Sequence, residues 1–145
     1  MRNAKNFQAG LQLLRQLELS LFDFRLHLEF DPKKDYTQIQ ALLDKIRKRI
    51  NIIPVSPFNR FQHGFSHIFA GGYAAGYYSY LWAEVLSCDA FTKFLEDGIF
   101  NQETGQAFLQ SILEQGGAID AMELFKKFRG REPKIQAFLK SLDIE

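Results

Sequence analysis

Tyr73, Tyr77 and Tyr80 stand at i, i+4 and i+7 in a stretch, residues 60–84, whose only charged residues are Arg60 and Glu84 at its ends. On a helix this spacing lines three phenol hydroxyls along one face, and Glu84 extends the row by a turn. A phenol held in an apolar wall can donate a hydrogen bond to a carbonyl oxygen that is gaining charge, which is what oxyanion stabilisation requires. The same stripe also suits tyrosines at a packing boundary with their hydroxyls in water. His63 and His67, at i and i+4 in HGFSH, could share a metal if the segment is helical, with His27 as the remaining imidazole for a third ligand. Position 64 is glycine, however, where a zinc peptidase helix carries its general base, so satisfied or substrate-facing histidines are the competing reading.

Those side chains need elements to hold them. A helix is expected from about Tyr73 to Leu95, ending at Asp97-Gly98, with Ala75, Tyr78, Trp82, Val85 and Leu86 as its core face. Upstream, Phe7, Leu11, Leu14, Leu17, Leu21, Phe24 and Leu28 recur at spacings of three and four, the pattern of an amphipathic helix that stops near Asp31-Pro32. Arg15, Glu18, Asp23 and Arg25 fall on its other face, where structural ion pairing is the default. A second helix follows Thr37, capped by that hydroxyl with Gln40 completing a capping box; Ile39, Leu42, Leu43, Ile46 and Ile50 form its buried side and Lys45, Arg47, Lys48 and Arg49 its wet side. Pro54 and Pro57 make NIIPVSPFNR an extended connection.

Beyond Gly98, Asn101 and Asp120 are positioned to cap two further helices, the first closed by Gly116-Gly117, and Pro133 suits the first turn of a last one. The guanidinium forks of Arg129 and Arg131 between them could hold a substrate carboxylate or a structural acid, with structural ion pairing the default. No segment alternates with period two, so the class is all-α. With 145 residues, 46% hydrophobic and 24% charged, the chain fits one helical domain, residues 1–145. Its 15 phenylalanines exceed what such a core readily buries and lead to the expectation of a missing neighbour.

A net charge of +1 removes the footprint expected of a nucleic-acid binder. Gly72-Tyr-Ala-Ala-Gly76 has the small-xxx-small spacing of packed membrane helices, yet histidines, serines, a glutamine and the glycine pair make its surroundings too polar and breakable for a span, so no membrane partner is expected. The glycines are poor phosphate-loop candidates because no strand precedes them, and they suit a tight turn instead. One cysteine, Cys88, excludes an intrachain disulfide and a cysteine zinc cluster, and the polar opening has no signal-peptide core; a cytoplasmic location is the expectation.

The string HIFAGGYAAGYYSYLWAEVLSCDAF resembles the C-terminal active-site segment of the zinc metallo-oligopeptidases of the thimet oligopeptidase family. LRQLELSLFDFRLH, GIFNQETGQAFL, ILEQGG and ELFKKFRGREP extend the resemblance over nearly the whole chain, most closely to the bacterial branch. It implies a multi-helix C-terminal portion of a larger helical metallopeptidase catalytic domain that hydrolyses short peptides with zinc. The family's His-Glu-x-x-His helix and further glutamate lie N-terminal to anything here, so no metal ligand and no cofactor is expected within this chain. The expected partner is the missing N-terminal part of the same enzyme, or a second copy. Residue by residue, the resemblance makes His67 a substrate-binding histidine and Tyr73 and Tyr80 the catalytic phenols at the scissile carbonyl. It adds Tyr77 as a further substrate contact and makes Gly71 and Gly72 a flexible loop over the substrate. The chain alone would be inactive. A non-catalytic helical module that binds peptides or a partner is the competing reading of the same residues.

Overall fold

A computed structural model describes residues 2–144, with side chains from residue 4 onward. Every regular element among them is helical. In order these are α1 (Arg2–Lys5), α2 (Ala9–Glu29), α3 (Thr37–Ile50), α4 (Ser79–Asp97), α5 (Gln102–Phe108), α6 (Ala121–Arg129) and α7 (Gln136–Ser141). Short 3-10 turns lie at Phe61–Gly64 and Ser66–Ile68, and α5 runs into a wider π turn at Leu109–Leu113, where the Glu114 amide reaches back to the Leu109 carbonyl at 2.9 Å. The all-α class read from the periodicities is the observed one. The chain falls into two compact units, Met1–Leu81 and Trp82–Glu145.

In the first unit α2 and α3 pack together. Leu19, Phe22 and Leu26 from α2 meet Leu43 and Ile46 from α3, and Phe65 and Ile68 of the connecting segment close the cluster. The face of α2 that is buried is not the one its periodicity suggests. Leu17, Leu21, Phe24 and Leu28 are exposed, whereas Glu18 and Asp23 are buried. The helix carries two apolar stripes, Leu17, Leu21, Phe24 and Leu28 on one and Leu19, Phe22 and Leu26 on the other, and α3 selects the second, which is flanked by two carboxylates. Those carboxylates are satisfied. Glu18 accepts from Arg47 Nε at 2.9 Å and Asn51 Nδ2 at 3.0 Å, and Arg15 lies 2.9 Å away.

Two expectations for α3 are corrected by the same contacts. Arg47 is not on a wet side: it is tucked between Glu18 and the Asn59 side chain, to which it donates at 2.8 Å. Thr37 does not cap the helix; its own amide donates to Asp35 Oδ1 at 2.7 Å, because an acceptor two residues upstream meets the free N–H groups of the first turn. The connection through Pro54 and Pro57 has no helix, as the prolines require.

In the second unit Ala90, Phe125 and Phe128 form the buried cluster, with Leu86, Phe94, Ala107, Phe108 and Ile112 against it. Phe94, Phe108 and Phe128 meet pairwise at ring separations of 5.2 to 6.0 Å. The caps act as the residue types predict: Asn101 accepts from the amides of Glu103 and Thr104, Asp120 accepts from that of Met122, and Gly98 takes φ +106° just after α4. Pro133 lies before, not within, the first turn of α7. The Lys134 amide beside it donates to the buried Asp89 carboxylate, which also takes two hydrogen bonds from Arg131. Arg129 forks onto Glu96 at 3.0 Å through both terminal nitrogens, so each arginine is in an ion pair.

Candidate functional site

The helix expected from Tyr73 begins instead at Ser79. Residues 73–78 form successive turns, with Gly76 N–H to the Tyr73 carbonyl at 2.9 Å and Ser79 N–H to that of Gly76 at 3.0 Å. Two positions forbid a regular helix, Gly72 at φ +78° and Ala75 at φ +55°. Tyr73 and Tyr77 therefore stand on a turn and Tyr80 on the first turn of α4. Tyr78 and Trp82 are half exposed, not core, because without helical geometry before Ser79 the predicted faces no longer hold.

The phenols nonetheless come together. Tyr80 has its ring centroid 5.2 Å from those of both Tyr73 and Tyr77. The His67 ring lies 6.3 Å from Tyr73 and 6.0 Å from Tyr77, and Phe65 meets Tyr77 at 5.1 Å from inside the core. His67, Tyr73 and Tyr80 are exposed, whereas Tyr77 is partly buried and its hydroxyl donates to Gln16 Oε1 at 3.2 Å. Tyr77 thus has a packing function, and Tyr73 and Tyr80 present the accessible hydroxyls. Hydrogen bonding with Tyr73 is the chief influence pushing the Tyr80 phenol above the ordinary tyrosine range, with burial and the nearby phenols acting the same way. Tyr80 keeps its proton at neutral pH and stays a donor.

The glycines shape this surface by steric necessity. The Gly71 amide donates to the Ser66 carbonyl at 2.9 Å and the Tyr73 amide to that of His67 at 3.1 Å, which folds the chain back over the second 3-10 turn. A Cβ at Gly71 would stand 2.8 Å from both the Cα and the carbonyl oxygen of His67. Gly72 takes a left-handed conformation that other residues adopt at a cost. The pair sets the backbone that presents His67 to the tyrosines.

The turn is anchored by Asp23, which was expected in structural ion pairing on α2 and instead accepts from backbone amides. Asp23, wholly buried on α2, accepts from the Ala75 amide at 2.9 Å with one oxygen and from the Tyr77 amide at 2.9 Å with the other. The signal was a lone carboxylate between Phe22 and Phe24 in an otherwise apolar run. His27, the third imidazole of the chain, lies with Nδ1 2.9 Å from Asp23 Oδ1. Among the described residues no three histidine, cysteine, aspartate or glutamate side chains gather to hold a metal. The described side chains here offer hydrogen-bond donors and an exposed imidazole.

Comparison with known proteins bears on what that surface belongs to. Over all 145 residues the chain is 57% identical to oligopeptidase A of Salmonella typhimurium and, at the same identity, to oligopeptidase A of Escherichia coli. It is 36% identical over 143 residues to a dipeptidyl carboxypeptidase of Escherichia coli, covering 96% of this chain and 20% of that protein. The chain spans about a fifth, 21%, of the length of the two oligopeptidases. A model of peptidase family M3 matches residues 1–144, and the chain belongs to that family.

Proposed function

We propose that this chain is the substrate-facing portion of a zinc-dependent oligopeptidase acting on short peptides, and that it is inactive alone. In this reading it lies toward the C-terminal end of such an enzyme, with the zinc and the water it activates held by residues outside these 145. The observation that carries the reading is the convergence of His67, Tyr73 and Tyr80 on one accessible surface although they come from a 3-10 turn, a loop and a helix. In this reading Tyr73 and Tyr80 are catalytic: their hydroxyls donate to the scissile carbonyl oxygen as it gains charge, an interaction stronger in the transition state than in the ground state. His67 binds the substrate beside them, Tyr77 packs behind Tyr80, and Gly71 and Gly72 belong to the flexible loop that brings these groups over the substrate. The rest of the same polypeptide is the natural partner.

The test is Tyr80→Phe in the complete peptidase. The ring, and with it the contacts to Tyr73 and Tyr77, is retained; one donor is lost. Loss of one such donor lowers kcat by on the order of a hundred-fold, with a smaller change in KM. Tyr78→Phe, whose ring meets Phe24 at 6.2 Å on an exposed surface, should stay near wild type. Full kcat in Tyr80→Phe would reject the assignment. A reading frame that lacks His-Glu-x-x-His would favour the non-catalytic peptide-binding module instead.

A further inference from the structure

The carboxylate of Asp23 occupies an unusual position for a charged group: it is completely buried in the middle of α2, one turn from neither end, and both its oxygens are committed to backbone amides 52 and 54 residues away. Those amides belong to Ala75 and Tyr77 and thus straddle Gly76 within the turn that carries Tyr73 and Tyr77. A buried carboxylate is costly unless fully hydrogen-bonded, and bonds from N–H donors to a charged acceptor are stronger than neutral ones. The two anchored peptide planes fix the orientation of the turn as a lever fixed at two points, where a single bond would leave a swivel. His27, one helical turn along α2, adds Nδ1 at 2.9 Å and packs against Phe69 at 6.1 Å between ring centroids. Ala75 is held at φ +55° without being glycine, a conformation that persists only where the surroundings enforce it.

We propose that Asp23 is a positioning residue for the reaction: through the Ala75 and Tyr77 amides it sets where Tyr73 and Tyr77 lie against Tyr80, and so where the two accessible phenol hydroxyls meet the substrate carbonyl. This rests on the reading of Tyr73 and Tyr80 given above. Asp23 touches no substrate itself. Its effect on rate runs through geometry, and small misplacements of catalytic groups are expensive.

Two measurements test it. In the 145-residue chain, amide hydrogen exchange followed by NMR should show Ala75 and Tyr77 protected although both lie outside the helices; exchange at the rate of free amides would overturn the proposal. In the complete peptidase, Asp23→Asn keeps the shape but replaces one acceptor by a donor that faces an N–H. The expected result is a fall in kcat of roughly ten- to a hundred-fold with a smaller change in KM. Combined with Tyr73→Phe, whose hydroxyl is carried by the anchored turn, it should add little to the loss from Tyr73→Phe alone, since both act through that donor. Losses that multiply, or an Asp23→Asn enzyme with unchanged kcat per folded molecule beside a slow Tyr80→Phe, would overturn Asp23's assignment alone. Unchanged kcat in Tyr80→Phe would overturn the tyrosine reading and with it this consequence. If Asp23→Asn does not fold, the exchange measurement on the unaltered chain decides.

Discussion

Gly71 and Gly105 show how one residue type can be required at one place and dispensable at another. A Cβ at Gly71 would press on the His67 backbone at 2.8 Å, and backbone cannot swing aside as a side-chain tip can. Gly71→Ala should cost about 1–3 kcal/mol, the usual range for overpacking, and should displace His67 from the tyrosines. Gly105 sits inside α5 with nothing within 4 Å of where its Cβ would be. Gly105→Ala should stabilise by about 0.5–1 kcal/mol, because alanine loses less conformational freedom on entering a helix. Urea unfolding of both variants checks the contrast; two equal shifts would show that the His67 contact is not what constrains Gly71.

The joint between α2 and α3 depends on a buried ion pair. Glu18 and Arg47 are 2% and 10% exposed, and both Arg47 and Arg15 also lie over the Phe61 ring, at 5.2 and 4.5 Å from its centroid. Removing one member of such a pair leaves the other charge buried, so Glu18→Ala should destabilise by about 3–5 kcal/mol. Burial pushes the Glu18 carboxyl up, but hydrogen bonds from Arg47 and Asn51, with the charges of Arg15 and Arg47, outweigh it and hold the group below the ordinary glutamate range. The folded-state value is thus the depressed one. Glu18 stabilises the fold above its unfolded-state pKa, and that contribution is lost as pH falls through its folded-state value. Stability measured from pH 7 down to pH 3 should fall less steeply in Glu18→Gln than in wild type over the acid end; parallel curves would mean that the carboxylate charge is not what Arg47 recognises.

At the scale of the whole chain, much apolar surface is left uncovered. Phe100 is 96% exposed, Phe58 85% and Leu28 73%, and the outer stripe of α2 adds Leu17, Leu21 and Phe24. Side chains of this size left exposed suit contact with other protein, as expected of a chain covering a fifth of its relatives' length. The described helices do not offer a membrane alternative, since none is long and apolar enough to cross one. The isolated chain should bind a hydrophobic dye and sediment with a mass that rises with concentration. It should also show no chelator-sensitive peptide hydrolysis, because no described group of side chains is assembled to hold a metal and activate water. Peptidase activity abolished by chelator in rigorously pure material would contradict this.

What the residues determined by themselves were the local decisions. Spacings of three and four specified helices, Asn101 and Asp120 specified where two of them start, and Gly98 where one stops, since each acts through contacts a few residues away. The strings around His67 and Tyr73 were enough to identify the family. Which face of α2 is buried was decided only by tertiary structure, because a helix with two apolar stripes gives periodicity no reason to prefer one, and the packing of α3 and the pairing of Glu18 with Arg47 select it. The tyrosine row is a cluster of rings and not the helix face its spacing predicts. Its rings converge because Asp23 ties a non-helical turn to α2 across more than fifty residues, and contacts at that separation leave no periodic trace in the sequence.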